Sequence, residues 1–312
     1  MISPLRRFAN FLNISQIIGQ IENVKHKAQA ILRRHADREN TSDELKKKLL
    51  ICLAFHYAEN RTKYLIQCLE NYSQYKNYNV TIIIDTNSSE SKTAILNLGC
   101  FKKNIDVVVH DELDHPYLLT WMHRRHFKKN INEYDYFMYA EDDMIVKEES
   151  FSQYIENFNL VWPRYVPSFI RVEELDGVKY NVDSIEVEVA TKNNIIIVDG
   201  KTFLSLKYPY HAFWIMPKSP LKKSLNKAFT RPKYHDNKYT FCREFAASYP
   251  MWQLFKKPIV MLDSRHQIDE RCFSFHISNN YSSDTSTLHG KIQVDQLISF
   301  ATDLVFKSPT KD

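Results

Sequence analysis

The chain has 312 residues, 44% apolar and 13% aromatic, which is enough for one large α/β domain or two small ones. Its net charge of +5 is unevenly placed, since residues 1–48 hold ten Lys or Arg against five Asp or Glu and leave 32 against 32 beyond. No apolar run approaches the length of a membrane-spanning helix, and the N-terminus lacks the apolar segment and cleavage site of a signal peptide, so a cytoplasmic globular protein is expected.

The basic excess follows a predicted helix, in which Ile14, Ile17, Ile18, Ile21, Val24, Ala28, Ile31 and Leu32 recur at helical steps with Lys25, Lys27, Arg33, Arg34 and Arg38 around them. Such a helix suits an anionic membrane surface, but packing of its apolar face on the main domain or a second copy of the chain is the favoured expectation. Stacking aromatics are not interleaved with these basic residues, so nucleic acid is not an expected partner.

From Leu49 strands and helices alternate. Leu49–Phe55 reads as an apolar strand, Arg61–Tyr72 has helical spacing, and Val80–Ile84 is a second strand ending at Asp85. A helix over Ser91–Leu98, a strand over Ile105–Val109 and an aromatic-rich helix from Pro116 to Phe127 follow, with Asp111, Glu112 and Asp114 ahead of its start. On that helix Arg124 and Arg125 are either diphosphate contacts or part of a solvated face. Val166–Val172, Ile185–Ala190, Asn194–Val198, Ala212–Met216 and Ile259–Leu262 read as short strands, and Lys218–Phe229 and Tyr239–Tyr249 as helices. The fold class predicted is α/β, a mostly parallel central sheet flanked by helices, with a smaller, partly antiparallel region and an N-terminal helical extension.

The five cysteines are scattered and never form a CxxC pair, which argues against a disulfide framework and a structural zinc site. No two of the five glycines lie within a dozen residues of each other, so neither a GxGxxG fingerprint nor a GxxxxGK[ST] loop can be written. Any phosphorylated ligand must then be held by a metal or by basic side chains.

The most informative stretch is Tyr136-Phe137-Met138-Tyr139-Ala140-Glu141-Asp142-Asp143-Met144-Ile145-Val146, where an apolar strand stops at three carboxylates and resumes. Adjacent anions repel, so the end of a buried strand accepts them only beside something positive, most often a divalent cation; the alternative is a solvated acidic turn. In a parallel sheet the ligand site lies at the strand C-termini, where Asp85 would share a rim with Glu141, Asp142 and Asp143.

Strand Leu49–Phe55, Asn60-Arg61 opening the next helix, Asp85 after the second strand and Glu141-Asp142-Asp143 after a later one together resemble the nucleotide-sugar-dependent glycosyltransferases of the GT-A fold. Ala140 to Val146 is similar to the EDD variant of their DxD motif. The resemblance implies a basic helical extension over 1–48 and a GT-A-like domain over 49–312, with a nucleotide-binding half at 49–150 and an acceptor-binding half at 151–312. It implies that Asp143, with His276, ligates Mn²⁺ or Mg²⁺ on the donor diphosphate, and that Glu141 and Asp142 face the ribose, base or metal-bound waters. Asp85 would contact the base or ribose, and His56, Tyr57 and Arg61 would border the nucleotide, with Tyr57 stacking on the base. Glu244, half-buried among aromatics, is the preferred catalytic base of an inverting transferase, and Asp236, which can also cap a helix, is the other candidate. Tyr208, Tyr210, His211, Phe213 and Trp214 would stack on an acceptor sugar or pack in the core. The partner implied is a nucleotide-sugar donor; a glycan or lipid-linked glycan acceptor, met in the cytoplasm at the inner face of a membrane, is expected from the basic N-terminal helix and the lack of a Golgi-type anchor. A metal-dependent nucleotidyltransferase and a non-catalytic glycan- or partner-binding module are the alternatives.

Overall fold

The computed structural model describes residues 46–97, 104–207, 210–236 and 238–301; the expected helix within 1–48 and Tyr208 lie outside them. The chain begins with β1 (Lys47–Phe55), α1 (Thr62–Ser73), β2 (Tyr78–Thr86), α2 (Ser89–Asn97), β3 (Ile105–Val109), α3 (His123–Lys129), β4 (Tyr136–Glu141), β5 (Met144–Ile145) and α4 (Glu148–Val161). It continues through β6 (Tyr165–Pro167), β7 (Ile170–Leu175), β8 (Val178–Asn181), β9 (Glu188–Ala190), β10 (Ile195–Val198), β11 (Lys201–Ser205) and β12 (Phe213–Pro217). The last elements are α5 (Lys218–Ser224), α6 (Cys242–Ala247), β13 (Lys257–Met261), β14 (Phe273–His276), β15 (Ile292–Gln293) and β16 (Ile298–Phe300).

The central sheet has the order β12-β4-β1-β2-β3, with β1 to β4 parallel and β12 added antiparallel at one edge. β1 is apolar from Leu49 to Phe55 and buried throughout that run, as a strand covered on both faces must be. α1 lays Leu65, Cys68, Leu69 and Tyr72, all at helical spacing, against the sheet. α4 does the same with Phe151, Tyr154, Ile155, Phe158 and Val161. Each buried Leu, Ile, Val or Phe among these contributes about 1.5–3 kcal/mol of transfer free energy. The second half adds a four-stranded sheet, β10-β11-β13-β6, and a five-stranded one, β15-β8-β7-β14-β5. The mixed α/β architecture and the partly antiparallel second region are as expected, and among the described residues no helix is long and apolar enough to cross a membrane.

Several elements differ from the sequence reading. The strand expected over Val166–Val172 is two strands in different sheets, broken at Ser168-Phe169. The helix expected from Pro116 opens as a 3-10 turn over Pro116–Trp121 before α3 begins. α4 went unassigned although its apolar stripe and the two acids of its first turn are plain in the sequence. Of the expected aromatic patch, His211, Phe213 and Trp214 are core, and the Trp214 indole donates to the Ala246 carbonyl. Arg124 is no diphosphate ligand: it is fully buried, stacks 4.0 Å from the Trp121 ring and donates to the carbonyls of Phe229, Phe245 and Ala246 and to Gln253.

His211 spans the break between β6 and β7, its Nε2 donating to the Phe169 carbonyl at 2.7 Å beside Ser168 Oγ at 3.0 Å. Burial pushes its pKa down from 6.5 to about 4. The unfolded chain therefore binds a proton here between those values that the native state refuses, and stability falls as pH drops through that window. The loss attributable to His211 is about 3 kcal/mol. Urea unfolding of the parent and of His211→Gln from pH 7 downward is expected to give a flatter profile for the variant; parallel profiles would show that another group carries the acid sensitivity.

Candidate active site at the strand ends

β4 delivers Glu141 to the C-terminal rim of the sheet, the chain turns at Asp142 and Asp143, and β5 then pairs with β14 in another sheet. α1 pins this turn from below. The Cys68 thiol donates to the Asp142 carbonyl (3.2 Å), the Tyr72 hydroxyl to the Met144 carbonyl (2.7 Å) and the Asn71 amide to the Val146 carbonyl (2.8 Å). The backbone of the acids is thereby fixed, and only their carboxylates face the rim.

Asp142 and Asp143 are 3% and 4% exposed, so their charges need partners. Arg61, at the N-terminus of α1, makes a two-pronged bond to Asp142 (2.9 and 2.6 Å) and reaches Asp143 at 3.0 Å. His276, the last residue of β14, places Nε2 3.2 Å from Asp143 Oδ2 and Nδ1 2.6 Å from Glu173 Oε1. Glu173 is fully buried on β7 and also accepts the backbone N–H groups of Tyr281 and Ser282. Burial raises both aspartates, but the result is unequal: His276 and Arg61 hold Asp143 below the usual carboxylate range, while burial and the neighbouring Asp143 charge leave Asp142 above it. Burial also lowers the His276 pKa, yet the bonds to Asp143 and Glu173 more than offset this and leave it raised.

The acids open onto a cleft of about 800 Å³. Of the residues expected from sequence, His56, Arg61, Glu141, Asp142, Asp143, Glu244 and His276 line it. Tyr57 does not; it packs edge-on to Phe55, and its backbone N–H donates to Asn87. Asp85 is also outside, 1% exposed and bonded to His110 and His126. Asp236 lies away from the cleft too: its exposed carboxylate accepts from the Lys238 and Thr240 backbone and the Thr240 hydroxyl, a local turn ahead of α6. Glu141 accepts from the Tyr210 hydroxyl at 3.3 Å, and burial raises its pKa against the pull of Arg243.

Sequence reasoning missed Arg171, Glu173 and Asp183. Arg171 and Glu173 are two apart on β7 and so share its face, and a charged pair at that spacing in an otherwise buried strand was the available signal. Arg171 gives two hydrogen bonds to Asp183 Oδ1 (3.1 and 2.7 Å), while Asp183 Oδ2 is buried without a partner although the residue lines the cleft. Tyr117, Met251 and Trp252 add apolar and aromatic surface to the cleft lining.

The donor set at the acids fits a hard dication. Asp143 Oδ2 and His276 Nε2 are separated as two ligands of one ion can be, and Glu173 fixes the imidazole from behind, as outer partners of metal-bound histidines do. No protein-family model matches the sequence, and no curated protein matches it. Among solved structures, one of GalNAc-T7 with UDP, GalNAc and Mn²⁺ is similar at TM-score 0.44 and 10% identity, over 75% of this chain and 44% of that one. A mannosyltransferase, PcManGT from Pyrobaculum calidifontis, in complex with GDP-Man and Mn²⁺ is similar at TM-score 0.32 and 8% identity, over 49% of this chain and 46% of that one. This chain thus spans under half the length of either.

Removing Arg61 strands a buried anion, so Arg61→Met is expected to cost about 3 kcal/mol in urea unfolding. Asp142→Asn in that background should recover much of it, giving a coupling energy of about 2 kcal/mol in a double-mutant cycle. A coupling near zero would mean that Asp142 does not depend on Arg61.

Proposed function

We propose that this chain is a nucleotide-sugar-dependent glycosyltransferase of the GT-A type, and the observation that carries the reading is the Asp143–His276–Glu173 relay at the sheet rim of an open cleft. Asp143 and His276 would hold Mn²⁺ or Mg²⁺, which supplies neutralisation of the charge that grows on a departing nucleoside diphosphate. Glu173 holds a proton on His276 Nδ1, so that on metal binding only the Nε2 proton now shared with Asp143 would be displaced and the Nε2 lone pair taken up. Arg61 is the neutralising cation of the acids in the absence of a ligand and stands beside the same diphosphate position.

The sugar reading is supported by two features of the wall beyond the acids. The unpartnered Asp183 Oδ2 could accept a hydrogen bond from a ligand hydroxyl, and Arg171 holds that carboxylate in place. Tyr117 and Trp252 offer flat apolar faces of the kind that cover a sugar ring, which favours a glycan or lipid-linked glycan as acceptor. Glu244 also lines the cleft, half-buried, and would take the proton of the attacking acceptor hydroxyl in an inverting transfer. Asp236 has no part in the proposal because its carboxylate is committed to its own turn.

Thermal shift with UDP, GDP, CDP and dTDP, each with and without Mn²⁺, is the direct test. One nucleotide is expected to raise Tm only with the metal, by an amount equivalent to about 2.7 kcal/mol at a hundredfold excess over Kd. Asp143→Asn should remove that shift while leaving the unliganded protein folded. No shift with any nucleotide would overturn the reading. Once donor and acceptor are known, Glu244→Gln is expected to lower kcat by about 10²–10⁴-fold with donor affinity unchanged; full activity in that variant would remove Glu244 as base.

A further inference from the structure

A second group of ligand-type side chains lies outside the cleft, along the same edge of the central sheet. Asp85 is the penultimate residue of β2, His110 follows β3 directly, and His126 is on α3. Both imidazoles present Nε2 to one oxygen, Asp85 Oδ1, at 2.7 Å from His110 and 2.8 Å from His126. The three ligand atoms lie within 4.8 Å of one another, and no other group of three His, Cys, Asp or Glu does so among the described residues. The backbone holds the arrangement, because the His110 N–H donates to the Thr86 carbonyl at 2.7 Å. Asp85 is only 1% exposed, whereas the His110 and His126 rings keep 15% and 17% of their surface open, which gives an entry path.

We propose that Asp85, His110 and His126 bind one transition-metal dication of the Zn²⁺ class, as a site separate from the acids of the cleft. Two imidazoles and one carboxylate form a three-ligand set of the kind that Zn²⁺ takes while leaving a position to water. The chemistry distinguishes it from the Asp143 region: imidazole-rich sets favour Zn²⁺, Co²⁺ or Ni²⁺ over Mg²⁺ and Mn²⁺. Bonds of about 2.0–2.2 Å place ligand atoms slightly over 3 Å apart in a tetrahedron, so small side-chain rotations open the present contacts to that size. Such an ion would tie the ends of β2 and β3 to α3, bracing the sheet rim from the side opposite the acids.

The full-length chain, stripped with a chelator, would be titrated with Co²⁺ and the visible d–d bands recorded, followed by displacement with Zn²⁺ and a Tm measurement. Intense bands and a raised Tm are expected, retained in His276→Gln and weakened by about a hundredfold or more in affinity in both His110→Gln and His126→Gln. Absence of the bands, their retention in either His110→Gln or His126→Gln, or their loss in His276→Gln would overturn the proposal. Since either variant can lower stability, X-ray absorption on the parent loaded with one equivalent of Zn²⁺ gives an independent reading. Two imidazole nitrogens and an oxygen at about 2.0–2.2 Å are expected, and a shell with sulfur or fewer than two imidazoles would overturn it.

Discussion

Two adjacent carboxylates withdrawn from water repel each other by about 4 kcal/mol at 4 Å even with an effective dielectric constant near 20. Asp142 and Asp143 are in that position, and much of the architecture around them answers the problem. α1 brings a guanidinium to one side and β14 an imidazole to the other, while β7 places a second carboxylate behind the imidazole. The backbone is settled independently, by side chains of α1 that take up the carbonyls of the turn. Geometry and charge are therefore fixed by different groups, which leaves the carboxylate oxygens available to a ligand without loosening the chain that carries them.

The cleft lining is chemically mixed. The acids, Arg61 and His276 are bonded together, and Tyr117, Met251, Trp252 and Glu244 also line it. Arg171, Asp183 and Tyr210 line it too, Tyr210 bonded to Glu141 and Arg171 stacked 5.1 Å from the Tyr210 ring while it bonds Asp183. Lys207, Arg243 and Lys256 line the cleft as well, so an anionic ligand would find positive charge beyond Arg61 and His276.

The parallel sheet and the acids at its rim were legible because both are local: a continuous apolar run marks a doubly covered strand, and adjacent carboxylates mark a charge problem wherever they fall. His276 was reached through family resemblance, not from its own surroundings in the chain. Glu173 and Arg171 were missed because their roles depend on partners far apart in sequence, Glu173 lying 103 residues before His276. Asp85 was expected at the right rim but with the wrong neighbours, since His110 and His126 join it only through tertiary packing. The break at Ser168-Phe169 hides in an apolar stretch, and it is filled by His211, another long-range partner. Arg124 reads as a surface cation by type and becomes a core group because three carbonyls and an indole face it.

The passage from β4 to β5 has a consequence for how this chain can be divided. A single short segment leaves the central sheet, carries the acids across and pairs as β5 with β14, more than a hundred residues later. A fragment ending after α4 would keep Asp142, Asp143 and Arg61 but lose the imidazole, the carboxylate behind it and the strand that β5 requires. The complementary fragment would hold Glu173 and His276 without the anion that draws them to the rim. The two halves are thus not modules that evolution or an engineer can exchange at the turn, and the rim would have to be inherited as one piece.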